Sequence, residues 1–293
     1  MTRPIILFAY NRPQYFNETL KSLVNQTVDI DEIYLFNDGP RFSQEEKLVS
    51  NSIDLFKHYF PDGTVFDSSY NLGVAFNQKR ARDFIFKDND SAIIIEDDVI
   101  LTTHYISMLN NLMGKLDDGE TSMVTCFGEP PGNPNIFEHY DYIEYDDDQL
   151  KAQELNKDKL INMEHIWAYG MFKNAYDGCM ELMGNYYDML PNEYRARPHD
   201  QICGYFNSKG IKNIVSSQDS CMSSSLVLKG YNSYSTFTTN MFYIGEWGEH
   251  SRPEGFRKRW GTQYVYDQEI HDYIIDEKVK TQVRSYLQRR FLE

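Results

Sequence analysis

Apolar runs and amphipathic segments alternate through the first hundred residues of the chain. Four short, largely apolar runs, each followed by a polar turn, occupy residues 4–9, 32–36, 64–66 and 92–95. Three segments between them carry apolar side chains at helical spacing, namely residues 15–23, 43–59 and 73–86. Short apolar runs bounded by turn residues are typical of buried strands, and a three-to-four-residue spacing is typical of helices that cover a sheet. The pattern therefore predicts four strands that alternate with three helices.

This alternation predicts an α/β fold with a mostly parallel sheet and helices on its faces. In such sheets, ligands bind beyond the carboxyl ends of the strands. The residues predicted at those ends are polar, and several are acidic: Asn11 and Arg12, Asn37 and Asp38, Asn71, and Glu96, Asp97 and Asp98. We therefore expect a functional site at this edge of the sheet.

The rest of the chain is less regular. We predict a helix over residues 104–116, a strand over 122–127, a loop over 128–134, and an amphipathic helix over 268–292 with basic residues near its end. Residues 136–159 are acidic and weakly patterned, and their run Asp146, Asp147, Asp148 is more typical of a solvated face than of a cation site. Residues 160–250 are predicted to mix short strands and helices.

Composition and charge narrow the class of protein. With 293 residues, of which 41% are hydrophobic and 25% charged, the chain is typical of a globular protein with a large core. The formal net charge of −15 argues against a nucleic-acid partner, because binding phosphates needs a basic surface. Four cysteines outside any C-x-x-C pair argue against zinc and favour a reducing, intracellular setting: Cys126, Cys179, Cys203 and Cys221.

The sequence contains no leader-like segment, and no apolar run approaches the roughly 18 residues of a membrane-spanning helix. We therefore expect a cytoplasmic protein. This expectation leaves room for a peripheral contact at the inner face of the membrane.

The acidic triplet Glu96-Asp97-Asp98 directly follows the most apolar strand. Ionised carboxylates at the end of a buried strand are costly, and they repel one another unless a cation offsets the charge. Mg²⁺ and Mn²⁺ prefer oxygen ligands and retain ligand phosphates in their coordination shell. The triplet is therefore predicted to grip a diphosphate through a metal ion; a loop of solvated acids is the alternative.

Four motifs resemble one known group of enzymes: residues 8–13 (FAYNRP), 37–39 (NDG), 71–77 (NLGVAFN) and 95–99 (IEDDV). Together they look like the GT-A glycosyltransferases, and within these most like the N-acetylglucosaminyltransferase I group and its bacterial relatives. The resemblance is strongest over residues 1–100 and patchier beyond. It implies a metal-dependent, inverting hexosyl- or N-acetylhexosaminyltransferase that uses a UDP-sugar and a glycan or other hydroxyl acceptor.

The resemblance also implies roles for individual residues. Asp98 would ligate Mn²⁺ or Mg²⁺ directly, with Glu96 and Asp97 completing the diphosphate motif. Asp38 would contact the uracil base and Arg12 the nucleotide or phosphate, although Asn-Asp-Gly-Pro is also an ordinary turn sequence. Asn11 and Asn71 are also expected to line the nucleotide, with a local structural role as the alternative. Of three basic residues on the third helix, Lys79, Arg80 and Arg82, one is expected to reach the diphosphate, and we take Arg80; a solvated helix face is the alternative for each.

The second half must supply a general base. In the family, an acid near the start of a late helix takes the proton of the acceptor hydroxyl, and Asp200 matches that position; it would also suit a helix N-cap. Glu164 and Glu129 are the alternatives. Trp167 could stack on a sugar or belong to the core. His250, in a glycine-rich segment, matches the family's late metal-ligating histidine.

We therefore expect a GT-A, Rossmann-like architecture in three parts. Residues 1–120 would form the nucleotide-sugar-binding half, residues 121–265 a mixed acceptor half, and residues 266–293 a C-terminal amphipathic helix. One rival is a nucleotidyltransferase acting on sugar phosphates, which usually carries a glycine-rich basic loop where this chain has Asn11-Arg12-Pro13. The other rival is a non-catalytic sugar-binding protein of the same fold.

Overall fold

The structure is a computed structural model that describes residues 2–128, 149–248 and 251–293. The first hundred residues follow the predicted alternation: β1 (Ile5–Ala9), α1 (Pro13–Val24), β2 (Ile33–Asn37), α2 (Glu46–Tyr59), β3 (Thr64–Phe66), α3 (Gly73–Asp88) and β4 (Ser91–Ile95). A single turn of 3-10 helix, Ser43–Glu45, leads into α2. The prediction of four strands and three helices is confirmed.

The later described elements are shorter and less regular in order. They are β5 (Val99–Leu101), α4 (Tyr105–Lys115), β6 (Thr121–Thr125), α5 (Gln149–Leu155), β7 (Leu160–Asn162), β8 (Ala168–Phe172), α6 (Lys173–Met189), α7 (His199–Ser208), α8 (Gln218–Leu228), β9 (Asn232–Thr236), β10 (Met241–Tyr243), α9 (Pro253–Trp260) and α10 (Glu277–Leu292). None of the helices in the described ranges is long and apolar enough to cross a lipid bilayer.

Eight strands form one sheet in the order β3-β2-β1-β4-β8-β6-β9-β7. Strands β1 to β4 pair in parallel, as do β6 and β9, whereas β8 and β7 run against their neighbours. The predicted α/β fold with a large, mostly parallel sheet flanked by helices is confirmed. The predicted halves 1–120 and 121–265 both contribute strands to this one sheet.

Alternate residues of the central strands supply two hydrophobic cores, one on each face of the sheet. Leu7 of β1 lies between Leu35 of β2 and Ile95 of β4, in the core that includes α1 and α4. Ile6 and Ile94 belong to the opposite core, with α3 and α6. A strand covered on both faces needs an uninterrupted apolar run, which explains why the sequences of β1 and β4 are almost entirely apolar.

Two sequence predictions need correction. The C-terminal helix begins at Glu277 rather than near residue 268, because the Asp276 carboxylate accepts the N–H of Val279 at 2.9 Å and caps the helix there. Strand β5 was not predicted, and β10 falls among the short strands expected over residues 160–250; the two form an antiparallel ribbon beside the main sheet. Each contains three residues, too few for a clear alternation.

The carboxyl ends of β1, β2 and β4 lie at the same edge of the sheet, since these three strands are parallel neighbours. This edge therefore gathers the polar side chains that follow each strand. Three features considered in the sequence lie outside the described residues: Glu129, the acidic run 146–148, and His250.

Candidate active site

The acidic triplet sits at the end of β4, against the antiparallel strand β8. The N–H of Glu96 donates to the carbonyl of Trp167 at 2.8 Å, so the β4–β8 pairing continues into the triplet. Asp97 and Asp98 are 4% and 3% exposed, whereas Glu96 is half-buried. The prediction that the triplet projects from a buried strand end agrees with this placement.

Arg12, at the end of β1, supplies the counter-charge. Its guanidinium forms an ion pair with Asp97 through Nη2 and with Asp98 through Nη1, the latter at 2.8 Å. Burial by itself lowers the pKa of Arg12, but the two carboxylates outweigh burial and raise the pKa above its usual value. The arginine therefore stays charged and clamps the two aspartates side by side.

Each aspartate keeps one oxygen that the arginine does not use. Asp97 Oδ2 and Asp98 Oδ1 are buried and have no hydrogen-bond partner. Buried carboxylate oxygens are normally satisfied, so two adjacent unsatisfied ones fit a divalent cation with oxygen preference. Among the described residues, no group of three or more His, Cys, Asp or Glu is arranged to hold a metal ion. Ligation of a metal ion by Asp98 therefore stays a prediction.

Burial also changes the acidity of the triplet. Burial raises the pKa of Asp98 to about 6, although Arg12 opposes the shift. Burial, and then the charges of Asp98 and Asp219, raise the pKa of Glu96 well above its usual range. A divalent cation would favour the ionised forms of these carboxyl groups, because ligation and protonation compete.

The segment after β10 closes over the triplet. The N–H of Ile244 donates to the Asp98 carbonyl at 2.9 Å, and the Trp247 carbonyl accepts from Arg12 Nη1 at 3.3 Å. A Cβ at Gly245 would collide with Asp98 Oδ2 and would lie 2.5 Å from the Tyr243 hydroxyl oxygen. Only glycine lets this segment approach so closely. Sequence analysis noted the glycines but not their contact with Asp98.

Asp38, at the end of β2, is nearly buried and holds the loop that enters α3. Its Oδ1 accepts the N–H groups of Gly39 and Leu72, at 2.9 and 2.7 Å. Its Oδ2 accepts from the Asn71 amide and the Gly73 N–H, at 2.9 and 3.0 Å. The predicted pair Asp38 and Asn71 is thus brought together, with the carboxylate directed at the loop. Direct base contact by Asp38 stays a prediction.

The other two predicted nucleotide contacts, Asn11 and Arg80, also form hydrogen bonds within the protein. The Asn11 amide donates to Glu45 Oε1 at 2.9 Å. Arg80 donates from Nη2 to the carbonyls of Asn37 and Phe66, at 2.9 and 3.1 Å, so it caps the ends of β2 and β3. The described contacts of Arg80 therefore bind strand ends, and a role at the diphosphate stays a prediction.

A carboxylate of the second half, Asp219, lies close enough to Glu96 to act on it electrostatically. It lies exposed in the first turn of α8, and its charge is near enough to raise the pKa of Glu96, after burial and Asp98. Sequence analysis missed it. The available signal was Ser217, whose hydroxyl accepts the N–H of Ser220 at 3.3 Å and marks a helix start just before an acid.

Asp200, the predicted base, lies exposed in the first turn of the preceding helix, α7. Within the described residues, no hydrogen bond or ion pair joins it to the triplet. His199 Nδ1 lies 3.0 Å from Ser216 Oγ, which places the start of α7 beside the approach to α8. The two helix starts are therefore neighbours, and the role of Asp200 stays a prediction.

Two further candidates, Glu164 and Trp167, make contacts away from the triplet. Glu164 accepts from Tyr286 at 2.9 Å and forms an ion pair with Arg290, both on α10. Trp167 lies between two parallel rings, with centroids 4.3 Å from His165 and 4.0 Å from Tyr243. Glu164 therefore anchors the C-terminal helix, and Trp167 is part of an aromatic stack.

Residues 5–174, more than half of the chain, match the sequence model of the family described as Glycosyl transferase family 2. No curated protein sequence matches the chain.

Solved structures of glycosyltransferases are similar in part. The mannosyltransferase PcManGT from Pyrobaculum calidifontis, in complex with GDP-Man and Mn²⁺, is 13% identical with a TM-score of 0.44, over 80% of this chain and 54% of that one. S. aureus TarS 1–349 in complex with UDP is 11% identical with a TM-score of 0.42, over 80% of this chain and 60% of that one. The chain thus spans little more than half of the length of these structures.

Proposed function

The chain belongs to glycosyl transferase family 2, and on that premise we propose that it transfers a sugar from a UDP-sugar to a hydroxyl acceptor at the carboxyl edge of its sheet. The observation that carries the proposal is the pair of buried aspartates with one unsatisfied oxygen each, next to Glu96, which feels the charge of the exposed Asp219 carboxylate. The family match favours sugar transfer over a nucleotidyltransferase and over a sugar-binding protein without activity. The narrower resemblance to N-acetylglucosaminyltransferase I stays a prediction.

Asp98, together with Asp97, would hold Mn²⁺ or Mg²⁺ through the oxygens that Arg12 leaves unsatisfied. When bound, the ion supplies positive charge where the diphosphate leaving group becomes negative. Arg12 offsets the charge of the two carboxylates through its two ion pairs while no metal ion is bound. His250 is proposed as a further ligand from the sequence, since it follows the segment that closes over Asp98.

The donor nucleotide would lie along the ends of β1 and β2. Asp38 and Asn71 order the loop at the start of α3, and this loop would form the wall of the base pocket. Asn11 and Arg80 flank the same edge. We propose that Asp38 acts on base recognition chiefly by shaping this loop, because its oxygens already accept four hydrogen bonds.

The acceptor hydroxyl would be activated by a carboxylate from the second half. Asp219 is our leading candidate, because it is exposed and its charge acts on Glu96, whereas Asp200 is one helix earlier. The carboxylate takes the hydroxyl proton while the acceptor oxygen bonds to the anomeric carbon and the diphosphate leaves from the opposite side. That geometry gives inversion. A hexose or an N-acetylhexosamine, passed to a glycan or polysaccharide, is the expected transfer.

The proposals on binding partners and on cellular location rest on the sequence. The net charge of −15 disfavours a nucleic-acid partner. We propose that the enzyme works in the cytoplasm, with peripheral contact at the inner face of the membrane when its acceptor is carried there.

A thermal-shift screen of nucleotide sugars, with Mn²⁺ and with EDTA, tests the proposal. A ligand at 100 times its dissociation constant stabilises the folded state by about 2.7 kcal/mol. We expect a UDP-sugar to stabilise the protein only with the metal, and UDP release from that donor to follow. An absence of any metal-dependent response across UDP-, GDP- and other sugar donors would contradict the proposal.

The base is tested by a matched pair of variants. Asp219→Asn should retain donor binding and lower turnover by about 10²–10⁴-fold, because the amide cannot accept the proton. Asp200→Asn should stay within a few-fold of wild type. The reverse ranking of the two variants would return the role to Asp200.

A further inference from the structure

Behind the acidic triplet, helix α3 buries a guanidinium. Arg82 is 0% exposed, and its Nη2 donates to Gln78 Oε1 at 2.9 Å and to the Tyr169 hydroxyl at 2.5 Å. No carboxylate of the described chain lies within ion-pair distance of it. A buried charge is costly unless hydrogen bonds satisfy it. The hydrogen-bond partners of Arg82 therefore offset the cost of burying its charge.

One of these partners leads to the second half of the chain. The Gln218 amide is oriented by its neighbours, so that its oxygen accepts from Arg82 Nη1 at 2.8 Å. Its nitrogen then donates to Gln78 Oε1 at 2.7 Å and to Asp219 Oδ1 at 2.9 Å. Gln218 is the first residue of α8 and is 1% exposed. A rigid, buried amide thus holds the exposed carboxylate beside it.

The other partner leads to the triplet. Gln78, also buried, receives the hydrogen bond from Arg82 on its oxygen and directs its nitrogen at Glu96 Oε1, 3.4 Å away. Arg82 therefore has two arms, each built from one glutamine, and each arm ends on a different carboxylate of the cleft. A cation that polarises an amide oxygen strengthens the N–H groups of the same amide as donors.

We propose that Arg82 is a positioning residue that, through Gln78 and Gln218, fixes the Glu96 and Asp219 carboxylates relative to each other across the cleft. The inference rests on the proposed function, since Glu96 belongs to the donor side and Asp219 to the acceptor side. Catalysis by positioned groups is sensitive to errors of about 1 Å, which can lower the rate about 10²-fold. The two arms should therefore fail in different ways.

The arms can be cut one at a time with methionine, which keeps the length of glutamine but has no amide. Gln218→Met should lower kcat for UDP release by about 10–100-fold while KM for the donor stays within about 2-fold, because only the acceptor-side carboxylate loses its support. Gln78→Met should raise the donor KM by about 10-fold with kcat within about 3-fold, because the donor side is loosened. Arg82→Lys, which lacks the planar fork, should show both defects.

A matched control separates positioning from stability. Tyr176→Phe removes a half-buried hydrogen bond of 2.7 Å to Asp83, the neighbour of Arg82 on α3, without touching either arm. It should lower Tm comparably and leave both kinetic constants near those of wild type. The assay uses the UDP-sugar that stabilises wild-type protein most strongly, with Mn²⁺ present.

A double-mutant cycle measures the coupling between the two glutamines from protein stability alone, without any substrate. The losses of stability from Gln78→Met and Gln218→Met, measured by urea unfolding, should be strongly non-additive with Arg82 present. In an Arg82→Met background the coupling energy should shrink to what the direct 2.7 Å hydrogen bond between the two glutamines supplies, and a coupling of the same size in both backgrounds would show that Arg82 plays no part. Wild-type protein that turns over no nucleotide sugar would count against the proposed function, and the cycle would still decide the network. Additive losses in both backgrounds, or two glutamine variants with the same kinetic profile as Tyr176→Phe, would overturn the inference.

Discussion

Replacing Arg12 with methionine removes the counter-ion of the triplet and leaves its shape largely intact. Asp97 and Asp98 would lose their ion pairs while remaining almost fully buried. Removing one partner of a buried ion pair typically costs about 3–5 kcal/mol, because a charge stays buried without compensation. The Arg12 side chain is 25% exposed, so solvent screening is modest.

The expected shift in Tm follows from the size of the chain. At about 2.1 cal/mol/K per residue, unfolding of 293 residues carries an entropy of about 0.6 kcal/mol/K. A loss of about 3–5 kcal/mol then lowers Tm by about 5–8 °C in EDTA. The deficit should shrink as the pH falls towards about 6, the pKa of Asp98 with Arg12 present, and level off below it, because without the arginine Asp98 takes up its proton at a higher pH.

Differential scanning fluorimetry in EDTA and in Mn²⁺ measures both effects. Mn²⁺ should raise the Tm of Arg12→Met by at least as much as that of wild type, since all four aspartate oxygens are then available to the ion. The control is Arg284→Met, which breaks an exposed ion pair with Glu120 and should cost less than about 1 kcal/mol. An Arg12→Met protein that melts within 2 °C of wild type in EDTA, or that gains less from Mn²⁺, would refute the reasoning.

Three further predictions address the same edge of the sheet. Gly245→Ala should weaken Mn²⁺-dependent UDP binding by about 10-fold or more in calorimetry, because the new methyl group would collide with Asp98; unchanged affinity would show that the segment yields freely. Wild-type affinity for Mn²⁺ should fall as the pH drops from 7 to 5, since burial raises the pKa of Asp98 to about 6 and the ion needs the ionised form; a flat profile would contradict this. Asp38→Asn should lower Tm and weaken UDP binding together, because an amide cannot accept all four hydrogen bonds of the loop; weaker binding without a change in Tm would instead indicate direct contact with the base.

The strands and helices of the first hundred residues could be predicted because their signals are local. β1 and β4 are covered on both faces, so nearly every residue is apolar and the run stands out. The position of the triplet followed directly, because a polar cluster after such a run must lie at the carboxyl end of the strand. Arg12 and Asp98 were both placed at this edge, although their ion pair depends on a register that sequence does not specify.

The choice between Asp200 and Asp219 shows where sequence reasoning ends. Both are acids in the first turn of a helix, and both suit the start of that helix equally well. What distinguishes them is the direction in which each helix start points, which tertiary packing decides. Arg80 is a similar case, since a guanidinium suits a phosphate and a strand-end carbonyl alike, and only the β2–β3 pairing brings the carbonyls within reach.

The antiparallel strand β8 limits how far the two parts of the sheet can move relative to each other. It hydrogen-bonds to β4 on one side and to β6 on the other, so backbone pairing runs without a break from the first four strands into the strands of the second half. Bending the sheet at β8 would break several backbone hydrogen bonds at once. Residues 244–248 contact Arg12 and Asp98 through few hydrogen bonds, so moving this segment would cost less than bending the sheet. The sheet would thus keep a constant spacing between the strand ends on either side of β8, while residues 244–248 can move.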